Sequence, residues 1–147
     1  MISRDEADAL AARLLGDLRT KLGGPHIAHA RRVAARVADS DDDRLVAAAL
    51  LHDVLEKTAV TADELRAMTR VVALVALVEI LTQGANESDD SYLARCAADP
   101  GALRVKRLDL EDKLVADASA VSAPAAESIR QQAIGRLMLL ERFTSPP

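Results

Sequence analysis

The chain has 147 residues, half of them apolar, a formal net charge of −4 and no long Lys/Arg run, which argues against a protein that grips a nucleic-acid backbone. The length suits one domain with a single packed core. Tyr92 and Phe143 are the only aromatics, so that core has to be assembled from Ala, Leu, Val and Ile, a composition that favours close-packed helices over a sheet sandwich. Cys96 is the only cysteine, which excludes an internal disulfide, suits a reducing cytoplasm and reads as a small buried hydrophobe. The charged start, Met1-Ile2-Ser3-Arg4-Asp5-Glu6, has no apolar signal-peptide segment behind it. No uncharged apolar run approaches the roughly 18 residues of a membrane-spanning helix.

Ser3-Arg4-Asp5-Glu6 has the form of a capping box, and behind it Ala7, Leu10, Ala11, Leu14, Leu18 and Leu22 recur at helical spacing. Gly23-Gly24-Pro25 is expected to stop this helix. A second runs from about His26 to Ala38 with Ile27, Ala30, Val33, Ala34 and Val37 buried. Ser40-Asp41-Asp42-Asp43 caps the start of a third, the apolar run that carries His52 and Asp53. Thr61-Ala62-Asp63-Glu64 is a second capping box, opening a short helix with Leu65 and Met68. Val71 to Leu81 is apolar almost all round and reads as a buried central helix. Thr82 to Asn86 is a polar loop, and Ser88 or Asp89 begins a helix through Tyr92, Leu93 and Cys96. Asp99-Pro100 is cap and first position of a helix through Val105, Leu108 and Leu114. Ser122-Ala123-Pro124 opens the last, over about 123–143, with Ile129, Ala133, Leu137 and Leu140 as core and an apolar patch on which copies could pair as a homo-oligomer. Ser145-Pro146-Pro147 reads as a frayed tail.

The chemistry lies in polar residues set into apolar helices. Removing a carboxylate from water costs several kcal/mol or more unless something offsets it, and for His52-Asp53 a metal ion is the most economical partner. His29 shares a face with Val33 and Val37, so its imidazole should also point inward. Adjacent residues on a helix diverge by about 100°, yet the longer imidazole and shorter carboxylate of His52 and Asp53 can converge on one ion between helices. Asp109, an acid in the frame Val105-Lys106-Arg107-Leu108-Asp109-Leu110, supplies a fourth ligand. Two imidazoles and two carboxylates suit Mn²⁺, Fe²⁺, Co²⁺, Zn²⁺ or Mg²⁺, with about two of six positions left for water or phosphate oxygen.

The order His29, His52-Asp53, Asp109 resembles the HD-domain metal-dependent phosphohydrolases, an all-helical superfamily named for the adjacent His-Asp pair. Ala48 to Thr58, Leu77 to Thr82, Tyr92 to Arg95 and Val105 to Asp109 further resemble the hydrolase domain of the stringent-response enzymes that degrade guanosine 3′,5′-bis-diphosphate, and small stand-alone bacterial HD proteins more closely still. The resemblance covers roughly His26 to Asp117. It implies an all-α, single-domain HD-type bundle of about seven or eight helices spanning 1–147. It also implies one divalent metal, Mn²⁺ first, on His29, His52, Asp53 and Asp109, with Glu56 as the catalytic carboxylate. Glu56 lies one turn beyond His52-Asp53, where it can orient or deprotonate a metal-activated water.

Departures from the family pattern bear on the substrate. Lys57 replaces the acid that commonly follows the catalytic glutamate, and it either binds phosphate or is solvated. Lys113 stands where an asparagine is often found, and the segment before His29 lacks the longer basic stretch that helps to hold the guanosine nucleotide. Lys106, Tyr92, Arg95 and Asp112 are further candidates to line the substrate pocket, Asp112 by orienting a ligand or water; as surface residues, Asp112 and Glu111 would be plain solvated acids. His26 reads as exposed or as a neighbour of the ligands, and Arg31 and Arg32 as the wet face of their helix. The expected activity is metal-dependent hydrolysis of a phosphate or pyrophosphate ester, first of a guanosine polyphosphate, in the cytoplasm and with no nucleic-acid or membrane partner. The alternative is a non-catalytic nucleotide- or metal-binding sensor.

Overall fold

The computed structural model describes residues 1–38 and 42–144; Ser40 and Asp41 of the expected cap, and the tail at 145–147, lie outside the described residues. Apart from one isolated bridge between Arg19 and Pro25, the regular elements of the described residues are all helical. They are α1 (Arg4–Leu15), α2 (His26–Val37), α3 (Asp43–Leu51), α4 (Val54–Lys57), α5 (Ala62–Thr69), α6 (Val72–Ile80), α7 (Asp89–Ala97), α8 (Pro100–Val115) and α9 (Ala123–Thr144). Because α4 is a single turn, the eight longer helices match the expected all-α bundle.

The bundle is organised around α3, in which every residue from Leu45 to Leu51 is buried. Its consecutive Ala47, Ala48 and Ala49 have no exposed surface, and short side chains here let α1 and α2 approach on one side while α6 and α8 pack on the other. α9 lies across α7 and α8, seating Ala133 and Leu140 in the core. The expected caps form at Asp42, Thr61, Ser88 and Asp99, and Thr61 and Glu64 make the full reciprocal box. Ser3 accepts from the Glu6 amide at 3.0 Å, but Glu6 does not return the bond.

Three departures from the sequence reading have local causes. α1 ends at Leu15 rather than near Leu22, because Gly16 takes a positive φ of 51° that turns the chain about two turns early. The released loop carries Arg19 to Leu22, and Gly23 (φ 98°) then passes so close to Ala120 that a Cβ would lie 2.6 Å from that alanine's own. The run through His52-Asp53 is not one continuous helix. The His52 ring nitrogen Nδ1 donates to the Ala49 carbonyl at 2.6 Å, and Asp53 (φ −100°, ψ −2°) caps the short α4. α6, finally, is helical but not buried all round: Leu74, Val75, Leu77 and Val78 face the core, whereas Val72, Ala73, Ala76 and Glu79 face solvent.

No helix of the described residues is long and apolar enough to cross a membrane. Leu93 has no exposed surface and sits in the core behind the polar site. Leu93→Ala is expected to lower unfolding free energy by about 2–5 kcal/mol, read from the shift in urea midpoint at unchanged slope.

Candidate metal centre

The end of α3 and the faces of α2 and α8 bring His29, His52, Asp53 and Asp109 together. Each offers one ligand atom, and these four atoms lie within 4.8 Å of one another. That span suits donors disposed around a single ion with bonds of about 2.1 Å, and the mixed imidazole and carboxylate set suits a borderline or hard divalent cation. His29, His52 and Asp109 are buried, and Asp53 is partly exposed.

The hydrogen bonds show which atoms face inward. Asp109 Oδ1 lies 2.9 Å from His29 Nε2 and 3.3 Å from His52 Nε2. Its other oxygen faces away, 2.9 Å from Lys106 Nζ and 3.7 Å from Lys113 Nζ. Asp53 Oδ2 lies 3.1 Å from His52 Nε2 and 3.8 Å from His29 Nε2. On the far sides of the rings, His52 Nδ1 donates to the Ala49 carbonyl, and His29 Nδ1 donates to Asp112 Oδ2 at 2.7 Å. Both imidazoles therefore turn Nε2 toward the centre. That is the orientation a ligand histidine adopts when its other nitrogen is occupied.

Electrostatics follow from the same packing. Burial alone would raise the carboxyls of Asp53 and Asp109, but His52 beside the first and Lys106 and Lys113 beside the second hold both well below the ordinary 3.8. Burial would push the His52 imidazole down; Asp53 and Asp109 override it and hold it up at about 10. His29 is raised in the same way, by Asp109 and Asp112 against burial. Lys106 is buried yet held charged by Asp109, and its ammonium lies 5.1 Å from the centre of the Tyr92 ring.

A cavity of about 190 Å³ opens onto the cluster. Of the residues expected to meet substrate, Lys57, Tyr92, Lys106 and Asp112 line it, together with Glu56. Glu56 is half-exposed and lies outside the four-residue cluster, with Lys57 Nζ 3.9 Å from its carboxylate. Arg95 is not among the lining residues. It grips Glu87 through Nε and Nη2 and donates to the carbonyls of Ile80 and Thr82, so it braces the loop between α6 and α7. Tyr92 is buried, and its hydroxyl donates to the Leu81 carbonyl at 2.6 Å. Asp112 is no surface acid: it is 2 % exposed.

Sequence reasoning missed several residues. His26 is not among these: of its two expected places it takes that of a neighbour of the ligands, buried with Nε2 2.7 Å from Asp53 Oδ2. Arg32 is not on a purely wet face, since it reaches inward to Asp112; Arg31 does stay outside, paired with Asp8. Arg19, Lys21, Gln83 and Arg136 also line the cavity. Arg32 carried a usable signal, lying three residues after His29 on the same helix face. Arg136 carried none, because only the docking of α9 brings it there.

No protein-family model matches the chain, and no curated protein matches it. Its fold does match solved structures. One is described as a metazoan ortholog of SpoT that hydrolyzes ppGpp and plays a role in starvation responses; it matches with a TM-score of 0.69 at 19% identity, over 95% of this chain and 92% of the other. The chain shares that protein's all-helical fold. In this fold the His-Asp pair occupies the break between α3 and α4, where two successive side chains can turn toward one point without the divergence a continuous helix imposes.

The raised imidazoles give the metal-free protein a defined pH response. Their contribution to stability is fully present below the unfolded value of 6.5 and is lost as pH rises through the folded values, about 10 for His52. Asp112, held down to about 2 by His29 and Arg32 against burial, contributes above 3.8 and loses that as pH falls toward 2. The melting temperature of chelator-treated protein should therefore fall between pH 6.5 and 10, and saturating Mn²⁺ should flatten that decline, since a bound cation replaces the protons. A scan of melting temperature against pH, with and without Mn²⁺, checks both.

Proposed function

We propose that the chain, read as one HD-type unit over 1–147, is a metal-dependent hydrolase of phosphate or pyrophosphate esters, with a nucleotide as substrate. The observation that carries this reading is the convergence of two imidazole Nε2 atoms and two carboxylates beside a cavity that His29, Asp53 and Asp109 line and whose walls are rich in cations. Arg19, Lys21, Arg32, Lys57, Lys106, Lys113 and Arg136 outnumber Asp53, Glu56, Asp109 and Asp112 there, although the whole chain is acidic. Such a local excess attracts a small polyanion. A guanosine polyphosphate heads the candidates because the fold neighbour hydrolyzes ppGpp.

His29, His52, Asp53 and Asp109 would hold one divalent ion, Mn²⁺ first. Bound there, the ion supplies charge neutralisation at the phosphoryl oxygens and lowers the pKa of water. Glu56, at the cavity wall and one turn beyond Asp53, takes the proton of the attacking water as its oxygen adds to phosphorus and the P–O bond to the leaving group breaks. Lys57 and Lys113 offset charge on the non-bridging oxygens. Tyr92 closes the inner wall and keeps Lys106 against Asp109. A reducing cytoplasm is the setting this reading implies.

A sensor that binds nucleotide without turnover is the second reading. Lys57 favours it, because this cation, 3.9 Å from the Glu56 carboxylate, stands where the resembling hydrolases commonly carry an acid. Mn²⁺-loaded protein is expected to release phosphate or pyrophosphate from guanosine polyphosphate or a related nucleoside phosphate. Glu56→Gln should keep its metal and lose about 100-fold or more in kcat. Tight nucleotide binding by the wild type, with no turnover across Mn²⁺, Fe²⁺, Co²⁺, Zn²⁺ and Mg²⁺, would establish the sensor instead.

A further inference from the structure

Two pairs of residues at a spacing of three face each other across the contact between α2 and α8. They are His29 with Arg32, and Asp109 with Asp112. Asp109 meets His29 at Nε2, on the side of the four-residue cluster. Asp112 meets the opposite nitrogen, with Oδ2 2.7 Å from Nδ1. Arg32 then closes the chain, its Nε 2.9 Å from Asp112 Oδ1 and its Nη2 3.0 Å from Oδ2, the two-point geometry in which guanidinium and carboxylate bind best.

Both oxygens of Asp112 are thus engaged, Oδ2 by the His29 ring and Arg32 and Oδ1 by Arg32, and the carboxylate lies on the Nδ1 side of the ring, opposite the cluster. His52 provides the contrast: its Nδ1 is backed by the neutral Ala49 carbonyl. A carboxylate behind an imidazole withdraws Nδ1–H density more strongly than a carbonyl does and leaves Nε2 the better donor. Resting on the metal-centre reading above, we propose that Asp112, held by Arg32, is a positioning residue that fixes the His29 ring with Nε2 inward and makes His29 the stronger of the two imidazole ligands.

The test measures the Mn²⁺ dissociation constant by chelator competition for wild type, Asp112→Asn, Arg32→Gln and the double variant, with thermal unfolding of each metal-free protein alongside. Asp112→Asn is expected to weaken Mn²⁺ binding about 10–100-fold. Arg32→Gln should weaken it less, and the double variant should be no weaker than Asp112→Asn alone, because both residues act through one ring. A merely structural role would lower the melting temperature of the metal-free variants and leave Mn²⁺ affinity within about twofold of wild type, which would overturn the proposal. Should Asp112→Asn fail to fold, Arg32→Gln decides on the same twofold criterion, since the Arg32 side chain is 46% exposed and its replacement opens no cavity. Wild type that binds no Mn²⁺ would sink the metal-centre reading itself, an outcome distinct from unchanged affinity in the variants.

Discussion

Three carboxylates and three imidazoles are drawn into the middle of a bundle otherwise built from Leu, Val and Ala, and the rest of the structure is arranged so that none of them is left alone. Asp109 is the pivot. One of its oxygens is shared by two imidazoles and the other is held by Lys106, so a buried charge with a large desolvation penalty is enclosed by partners on every side. Breaking any one of these contacts would leave an uncompensated group in a low-dielectric interior, which is far more costly than the net value of the contact itself. The helix packing serves this arrangement. Small residues in α3 let α2 and α8 close to hydrogen-bonding distance of the His52-Asp53 turn, and α9 seals the outside of α7 and α8.

That enclosure explains how the site can be both rigid and receptive to a cation. Three of the proposed ligands have an outward support, Ala49 for His52, Asp112 for His29 and Lys106 for Asp109, while His26 meets Asp53 at Oδ2, the oxygen that also faces the imidazoles. The inward atoms are therefore oriented before any ion arrives. In its absence, protons do the cation's work, which is why the imidazoles stand above their ordinary value and the carboxylates below theirs. The walls add a second layer of charge, with Lys21, Lys57 and Lys113 placed where an anion entering the cavity would meet them.

Much of this was legible in the sequence because the relevant signals are local. Caps at Thr61, Ser88 and Asp99 mark helix starts through side-chain geometry that needs no tertiary context. His29, His52, Asp53 and Asp109 stood out because acids and imidazoles in apolar frames call for a partner. Where the reading erred, tertiary or backbone detail decided. Gly16 ended α1 early although the apolar spacing continued to Leu22, so the loop bearing Arg19 and Lys21 was hidden inside an expected helix. Arg95 shares the Tyr92 helix, but Glu87 and two carbonyls draw its guanidinium outside the cavity. Asp112 reads either as a helix-surface acid or as a residue that orients a ligand, and only the laying of α2 against α8 decides between them; Arg136 has no meaning in the sequence until α9 docks.

Everything proposed for the site turns on whether the four convergent residues hold a metal ion. Elemental mass spectrometry of protein purified without chelator or affinity-tag metal, beside Asp53→Ala, tests it most directly. Close to one equivalent of Mn, Fe or Zn per wild-type chain is expected, and little in the variant. No metal in either protein, even after reconstitution with Mn²⁺, would contradict it and leave a helical module whose buried polar cluster is held together by protons alone.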